Sequence, residues 1–158
     1  MPKIHPYLWF DNQAEQAATF YTSVFKNSRI VEVQRYGDAM PEQAGSVMIV
    51  NFELEGQAFT GLNGGPQFTF TEAISLFVDC HDQPEVDYLW ERLTADGGEE
   101  GPCGWLKDKY GVSWQIIPST LMELLSDPDP EKAKRATEAM FTMKKIDIQG
   151  LRDAYHSG

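Results

Sequence analysis

The chain has 158 residues, enough for one well-buried domain or for two half-size modules sharing a core, and too few for two independent domains. Hydrophobic residues make up 42% and aromatics 12%, which supplies a core, while a formal charge of -11 repels polyanions and excludes nucleic acid as an expected partner. No stretch approaches the ~20 apolar residues of a membrane span, and Met1-Pro2-Lys3-Ile4-His5-Pro6 has no basic region followed by an apolar run, so the expected address is the cytoplasm.

Residues 4 to 10, Ile-His-Pro-Tyr-Leu-Trp-Phe, form a short aromatic and branched run that reads as a strand. A helix follows, with Asp11 or Asn12 as its cap and Ala17, Phe20, Tyr21 and Val24 recurring at helical spacing; Asn27 and Ser28 end it. Ile30 to Tyr36, Ser46 to Glu55 and Gln57 to Leu62 are strand-like runs broken at Tyr36-Gly37-Asp38 and at Glu55-Gly56-Gln57, the second spaced for a tight hairpin. The first half thus reads β-α-β-β-β.

Beyond the turn-rich Asn63-Gly64-Gly65-Pro66, Ile74 to Cys80 is another strand, and Val86, Leu89, Trp90 and Leu93 share one face of the next helix, closed by Asp96-Gly97-Gly98. Cys103 to Asp108 and Val112 to Pro118 read as strands around a Lys109-Tyr110-Gly111 turn, with a short edge strand near Glu99 to Gly101. The second half repeats the first: Ala17, Phe20, Tyr21 and Val24 map onto Val86, Leu89, Trp90 and Leu93 with one offset of 69 residues. That repetition carries the expected fold, α+β, with two βαβββ modules at 3–66 and 72–118 within a single domain over 1–158.

A helical extension, 119–158, completes the chain. Leu121, Leu124 and Leu125 mark a short helix, Asp127-Pro128-Asp129-Pro130 a break, and Glu131 to about Met143 a second helix whose first turn tolerates Pro130. Met140, Phe141 and Met143 read as a packing face rather than a cofactor site, and Ile146 to Tyr155 as a last helix against the body or a partner subunit. Cys80 and Cys103 are the only cysteines, which is no disulfide framework in a chain able to bury its own core. Cys80-His81 raises a metal or reactive-thiol site, but neither cysteine belongs to a CxxC pair, and buried thiols are the simpler reading.

The segment Cys103-Gly-Trp-Leu-Lys-Asp-Lys-Tyr-Gly-Val-Ser-Trp-Gln-Ile-Ile-Pro118 resembles the signature of the PhnB-like branch of the glyoxalase/bleomycin-resistance (vicinal oxygen chelate) superfamily, a branch also described as 3-demethylubiquinone-9 3-methyltransferase. Pro6-Tyr7-Leu8-Trp9-Phe10 with Ala14-Glu15-Gln16-Ala17 and Phe20-Tyr21 resembles the opening of that family, and Gly61 to Pro66 and Glu85 to Trp90 its middle, so the likeness spans roughly residues 4 to 118. The resemblance implies that the two modules form a cupped mixed sheet (the glyoxalase/bleomycin-resistance fold) with helices outside, that a small ligand or metal is held inside the cup, and that the protein is a dimer. Its metal-using members place His, Glu or Gln ligands in the first and last strand of each module. Here His5 fits the first position and Gln115 the last, a neutral and weaker ligand than the Glu common there. The other two positions offer only Ala73, Ile74 or Ser75, and Thr60, Gly61 or Asn63. Two candidates of four fall short of the three protein donors a catalytic ion needs, so no metal or other cofactor is expected, and His5 and Gln115 read more simply as polar groups lining a cavity.

Alternation places His5, Tyr7 and Trp9 on one face and Ser113, Gln115 and Ile117 on one face. With Asn63, Ser75 and Phe77, these make a ligand pocket of aromatics, amides and hydroxyls suited to a flat or apolar small molecule. The expected function is metal-independent binding of a small molecule by a homodimer. Alternatives are a metal-assisted lyase, isomerase or dioxygenase, and a metal-free enzyme using His5, Tyr7, Cys103 or Asp108, although no Ser/His/Asp-type spacing supports a named role. The methyltransferase of the family's description needs a glycine-rich turn opening a helix, and after Gly61-Leu62-Asn63-Gly64-Gly65 the sequence continues with Pro66 and a Thr/Phe run that reads as turn and strand.

Overall fold

The computed structural model describes residues 2–157 and divides the chain into two compact units, residues 1–70 and 71–158. Each unit contains one four-stranded mixed sheet.

In the first unit, β1 (Tyr7–Phe10), α1 (Ala14–Val24), β2 (Arg29–Arg35), β3 (Val47–Leu54) and β4 (Gln57–Asn63) form a sheet of order β1-β4-β3-β2. β1 lies parallel to β4, and that pairing requires a crossover; α1 supplies its helical part. The β3-β4 hairpin turns on Glu55 and Gly56, both left-handed at φ 50° and 81°, the pair of dihedrals a two-residue type I′ turn demands. α1 buries Ala14, Ala17, Ala18, Tyr21 and Val24, and Tyr21 meets Phe52 of β3, which stacks on Phe59 of β4 at 5.4 Å between ring centroids. Phe20, expected on the buried face, is only half-buried, because Ala18 takes part of that stripe.

The cap of α1 departs from expectation. Neither Asp11 nor Asn12 caps it: Gln13 holds the N-cap position without a side-chain bond, and Oδ1 of Asn63 accepts the Ala14 N–H at 2.8 Å. Nδ2 of Asn63 also donates to the Val47 carbonyl at 3.2 Å, so this one amide ties the end of β4 to the helix start and to β3.

The second unit repeats the plan with β5 (Ser75–Cys80), α2 (Gln83–Thr94), β6 (Glu99–Glu100), β7 (Trp105–Lys107) and β8 (Ser113–Pro118), in the order β5-β8-β7-β6. β5 is parallel to β8, and α2 buries Val86, Leu89, Trp90 and Leu93. Asp82 caps α2 by accepting the Glu85 N–H, and Pro84 sits in the first turn, where its missing N–H costs nothing. Three helices follow: α3 (Ser119–Leu125), α4 (Pro130–Phe141) and α5 (Ile148–His156). Leu121, Ile146 and Leu151 close over Ile117 of β8, with Met140 and Met143 packed against them. Phe141 does not join this face and is 65% exposed, since, as the last residue of α4, it is turned about 100° around the helix axis from Met140. Among the described residues no helix is long and apolar enough to cross a membrane.

Gly64 shows how tightly the end of β4 is packed. A Cβ there falls 2.5 Å from the Trp9 ring, which is held by an Nε1–H bond to the Gly65 carbonyl at 2.9 Å and by an edge contact with Phe68. Gly64→Ala is expected to cost about 1–3 kcal/mol, read as a lower urea midpoint at unchanged slope, whereas Gly45→Ser, at an open left-handed turn, should not perturb the Trp9 packing.

Candidate functional site

In the first unit the register aligns Tyr7, Thr60, Asn51 and Glu32 in one row, and Trp9, Leu62, Ile49 and Gln34 in the next, on the face opposite α1. His5 lies just before β1, where the Pro6 carbonyl still accepts the Thr60 N–H. The Thr60 hydroxyl donates to Oδ1 of Asn51 at 2.7 Å, so its oxygen receives the Nε2–H of His5 at 3.0 Å. His5 is thereby fixed as the Nε2–H tautomer, and its Nδ1 is buried without a partner.

The second unit places an equivalent pair in an equivalent position. Counting back three residues from the last parallel pair of each sheet, Phe77 faces Gln115 as Tyr7 faces Thr60. Two residues earlier, Ser75 stands where His5 stands, and its Oγ accepts Nε2–H of Gln115 at 2.9 Å. Gln115 is flanked in its row by Phe77 and Trp105; the row beside it holds Ser75, Ser113, Lys107 and Glu99. Ser113 is 1% exposed, and its hydroxyl has no partner. Lys107 is ion-paired with Glu72.

The sequence-predicted residues therefore fall into two groups within their own units. His5, Tyr7 and Trp9 share the face opposite α1, whereas the Asn63 side chain is committed to the α1 N-terminus. Ser75, Phe77, Ser113 and Gln115 share one face of the second sheet. Asn51, Trp105 and Lys107 join these rows and escaped the sequence reading. The signal that finds them is register: Trp105 and Lys107 lie directly across from Gln115 and Ser113, and Asn51 lies across from Thr60, the partner of Tyr7, an alignment that single-strand alternation cannot supply.

The equivalence narrows the ligand positions that the family resemblance implies to His5 and Thr60 in the first unit and Ser75 and Gln115 in the second. The first pair offers one imidazole with a single uncommitted nitrogen and a hydroxyl, the second a hydroxyl and a carboxamide, and neither has a carboxylate. Neutral hydroxyls and amides are weak ligands for transition ions, so neither pair fits a tightly held divalent metal. Among the described residues no group of three His, Cys, Asp or Glu side chains gathers elsewhere.

The family model described as 3-demethylubiquinone-9 3-methyltransferase matches residues 2–117. The chain belongs to this PhnB-like family. Through it the chain is a member of the glyoxalase/bleomycin-resistance superfamily. A solved structure from Bacillus cereus, described as a putative 3-demethylubiquinone-9 3-methyltransferase, PhnB protein, is 38% identical over 74% of this chain and 99% of its own, with a TM-score of 0.66. Protein PA1353 from Pseudomonas aeruginosa matches at 19% identity over 75% of this chain and 98% of its own, TM-score 0.61. The fosfomycin resistance protein FosX from Listeria monocytogenes matches at 17% identity over 78% and 97%, TM-score 0.53, and shares the fold. No curated protein matches the chain.

The chemistry in the PhnB-like family's description finds no support in these residues. Gly61, Leu62 and Asn63 belong to β4, and residues 64–74 contain no helix, so the glycine run presents no helix N-terminus to a cofactor. Asp108, a candidate acid or base, is a turn anchor. Its buried carboxylate accepts the Tyr110 and Val112 N–H groups at 2.8 and 3.1 Å and Nε1–H of Trp114 at 2.8 Å. Cys80 is buried, and burial first, with Glu85 second, pushes its thiol up to about 12. Since the thiolate is the nucleophile, Cys80 stays inert at neutral pH. At pH 8, iodoacetamide and mass spectrometry should find Cys80 unmodified in the folded protein and labelled in guanidinium; rapid labelling of native Cys80 contradicts its place in the core.

Proposed function

We propose that this PhnB-like protein binds a small organic molecule on the sheet face opposite the helix of a module, without the help of a metal ion. The observation that carries the reading is the pair of side-chain hydrogen bonds, His5 to Thr60 and Gln115 to Ser75, at the positions where the family resemblance implies metal ligands. These groups bond to each other and lack the charge a divalent ion requires. Around them lie Tyr7, Trp9, Phe77 and Trp105, flat side chains that favour an unsaturated or aromatic ligand. The test is elemental analysis of the purified protein with zinc, nickel and manganese titrations. No stoichiometric ion and no site abolished by His5→Ala are expected; a tight one-to-one ion lost in that variant overturns the reading.

The proposed partner is a second copy of this chain. β1 and β5 are edge strands of their sheets, and just before each an isoleucine is exposed at an equivalent position, Ile4 at 87% and Ile74 at 77%. An uncovered apolar edge is an association surface, and the repeat makes the two edges alike in register. Sedimentation equilibrium is expected to give a dimer, weakened at least tenfold by Ile74→Glu. A monomer at 100 μM wild-type protein overturns the assignment.

A further inference from the structure

Three of the chain's four tryptophans spend their indole N–H inside the protein: Trp9 on the Gly65 carbonyl, Trp90 on Oε1 of Glu100 at 2.6 Å, and Trp114 on Oδ2 of Asp108 at 2.8 Å. Trp105 does not. Its side chain is half-buried, yet its Nε1–H has no acceptor among the described residues and is not enclosed, so it stays open to solvent.

Trp105 lies directly across from Gln115, whose carboxamide is open in the complementary sense. Ser75 Oγ accepts one Nε2–H of Gln115 at 2.9 Å, which orients the amide. Its Oε1 has no donor among the described residues and is likewise not enclosed. Directly opposed residues hold their Cβ atoms about 5 Å apart, so one free donor and one free acceptor lie side by side. On the other side of Gln115 stands Phe77, 50% exposed, a surface on which a planar ring stacks.

A ligand that covers this row must answer both open groups, because a polar group taken out of water without a partner is costly. A ketone answers only the Trp105 N–H. A carboxylate turns its lone pairs on Oε1 of Gln115, and a hydrocarbon answers neither group. A ring with adjacent N–H and C=O answers both.

We infer that the second unit binds a planar ring carrying a cyclic amide, whose N–H donates to Oε1 of Gln115 and whose carbonyl accepts Nε1–H of Trp105, with the ring seated against Phe77. This rests on the proposed small-molecule face and names the ligand class it takes.

Two-dimensional NMR of the full chain tests it, because each tryptophan gives one indole N–H signal and Trp105→Phe identifies its own by loss. The titrants are 2-quinolone, with adjacent ring N–H and C=O; 1-methyl-2-quinolone, without the N–H; and naphthalene, without either group. 2-Quinolone is expected to move the Trp105 signal and to bind at least about fivefold more tightly than each of the others. Trp105→Phe keeps a ring and removes the N–H, so it should weaken 2-quinolone about 3- to 10-fold, the loss of one hydrogen bond, and leave naphthalene unchanged. A merely structural Trp105 would weaken both alike. Gln115→Met should abolish the preference for 2-quinolone over its methyl derivative and stands as the check if Trp105→Phe folds poorly. A preference below about fivefold, or an unmoved Trp105 signal, overturns the cyclic-amide assignment and leaves the small-molecule reading standing. If none of the three binds, both fall.

Discussion

The parallel pairing of a module's first strand with its last is the constraint on which the rest of the structure depends. It forces the chain through a crossover, and the helix in that crossover lies on one face of its own sheet. The apolar stripe of each helix packs on that side, with Tyr21 against Phe52 in the first unit and Val86, Leu89, Trp90 and Leu93 buried in the second. The opposite face carries the polar pairs among its aromatic and aliphatic side chains. The same pairing brings residues about 40 and 55 apart in sequence into hydrogen-bonding distance, Ser75 with Gln115 and His5 with Thr60. A change that weakened β1-β4 or β5-β8 would loosen fold and site together.

This explains what the sequence made legible. Helical spacing at Ala17, Tyr21 and Val24, repeated at Val86, Trp90 and Leu93, is a local pattern, and local patterns survive in one dimension. The Glu55-Gly56 hairpin was readable because its dihedrals restrict which residues can sit there. The cap of α1 was not, since the group that satisfies Ala14 comes from Asn63, at the far end of β4. Nor were Asn51, Trp105 and Lys107, whose place beside the candidate residues follows from cross-strand register, a property of three chain segments at once. Motif resemblance reached His5 and Gln115 directly, but narrowed their counterparts only to short runs; the two hydrogen bonds select Thr60 and Ser75 from them.

The site shows how one frame can hold different chemistry. A position in this fold is defined by strand, register and face, and the residue type placed there decides whether it grips a cation. With carboxylates and several imidazoles the four positions suit a Lewis-acidic ion. With Thr60, Ser75 and Gln115 beside His5, they form neutral hydrogen-bonding pairs. A family description that names a methyl transfer therefore says less about this chain than the four side chains do, because family membership follows the frame and reactivity follows the groups mounted on it.

The C-terminal helices bear on the same face from one end. Ile117 shares the alternation of Ser113 and Gln115, yet it is buried beneath Leu121, Ile146 and Leu151. The extension is held there by bonds to the module rather than by apolar contact alone. Gln83 of α2 donates to the Ile146 carbonyl and accepts the Ile148 N–H, Lys145 pairs with Asp87, and the Met143 and Lys144 carbonyls take the N–H groups of Cys103 and Gly104. The last two bonds fix a left-handed turn, φ 58° and 84°, in which a Cβ at Gly104 would sit 2.7 Å from Ile117. That turn delivers Trp105 to its place across from Gln115. The segment beyond the family match thus closes the face at Ile117 and steadies Trp105 in the row of Gln115.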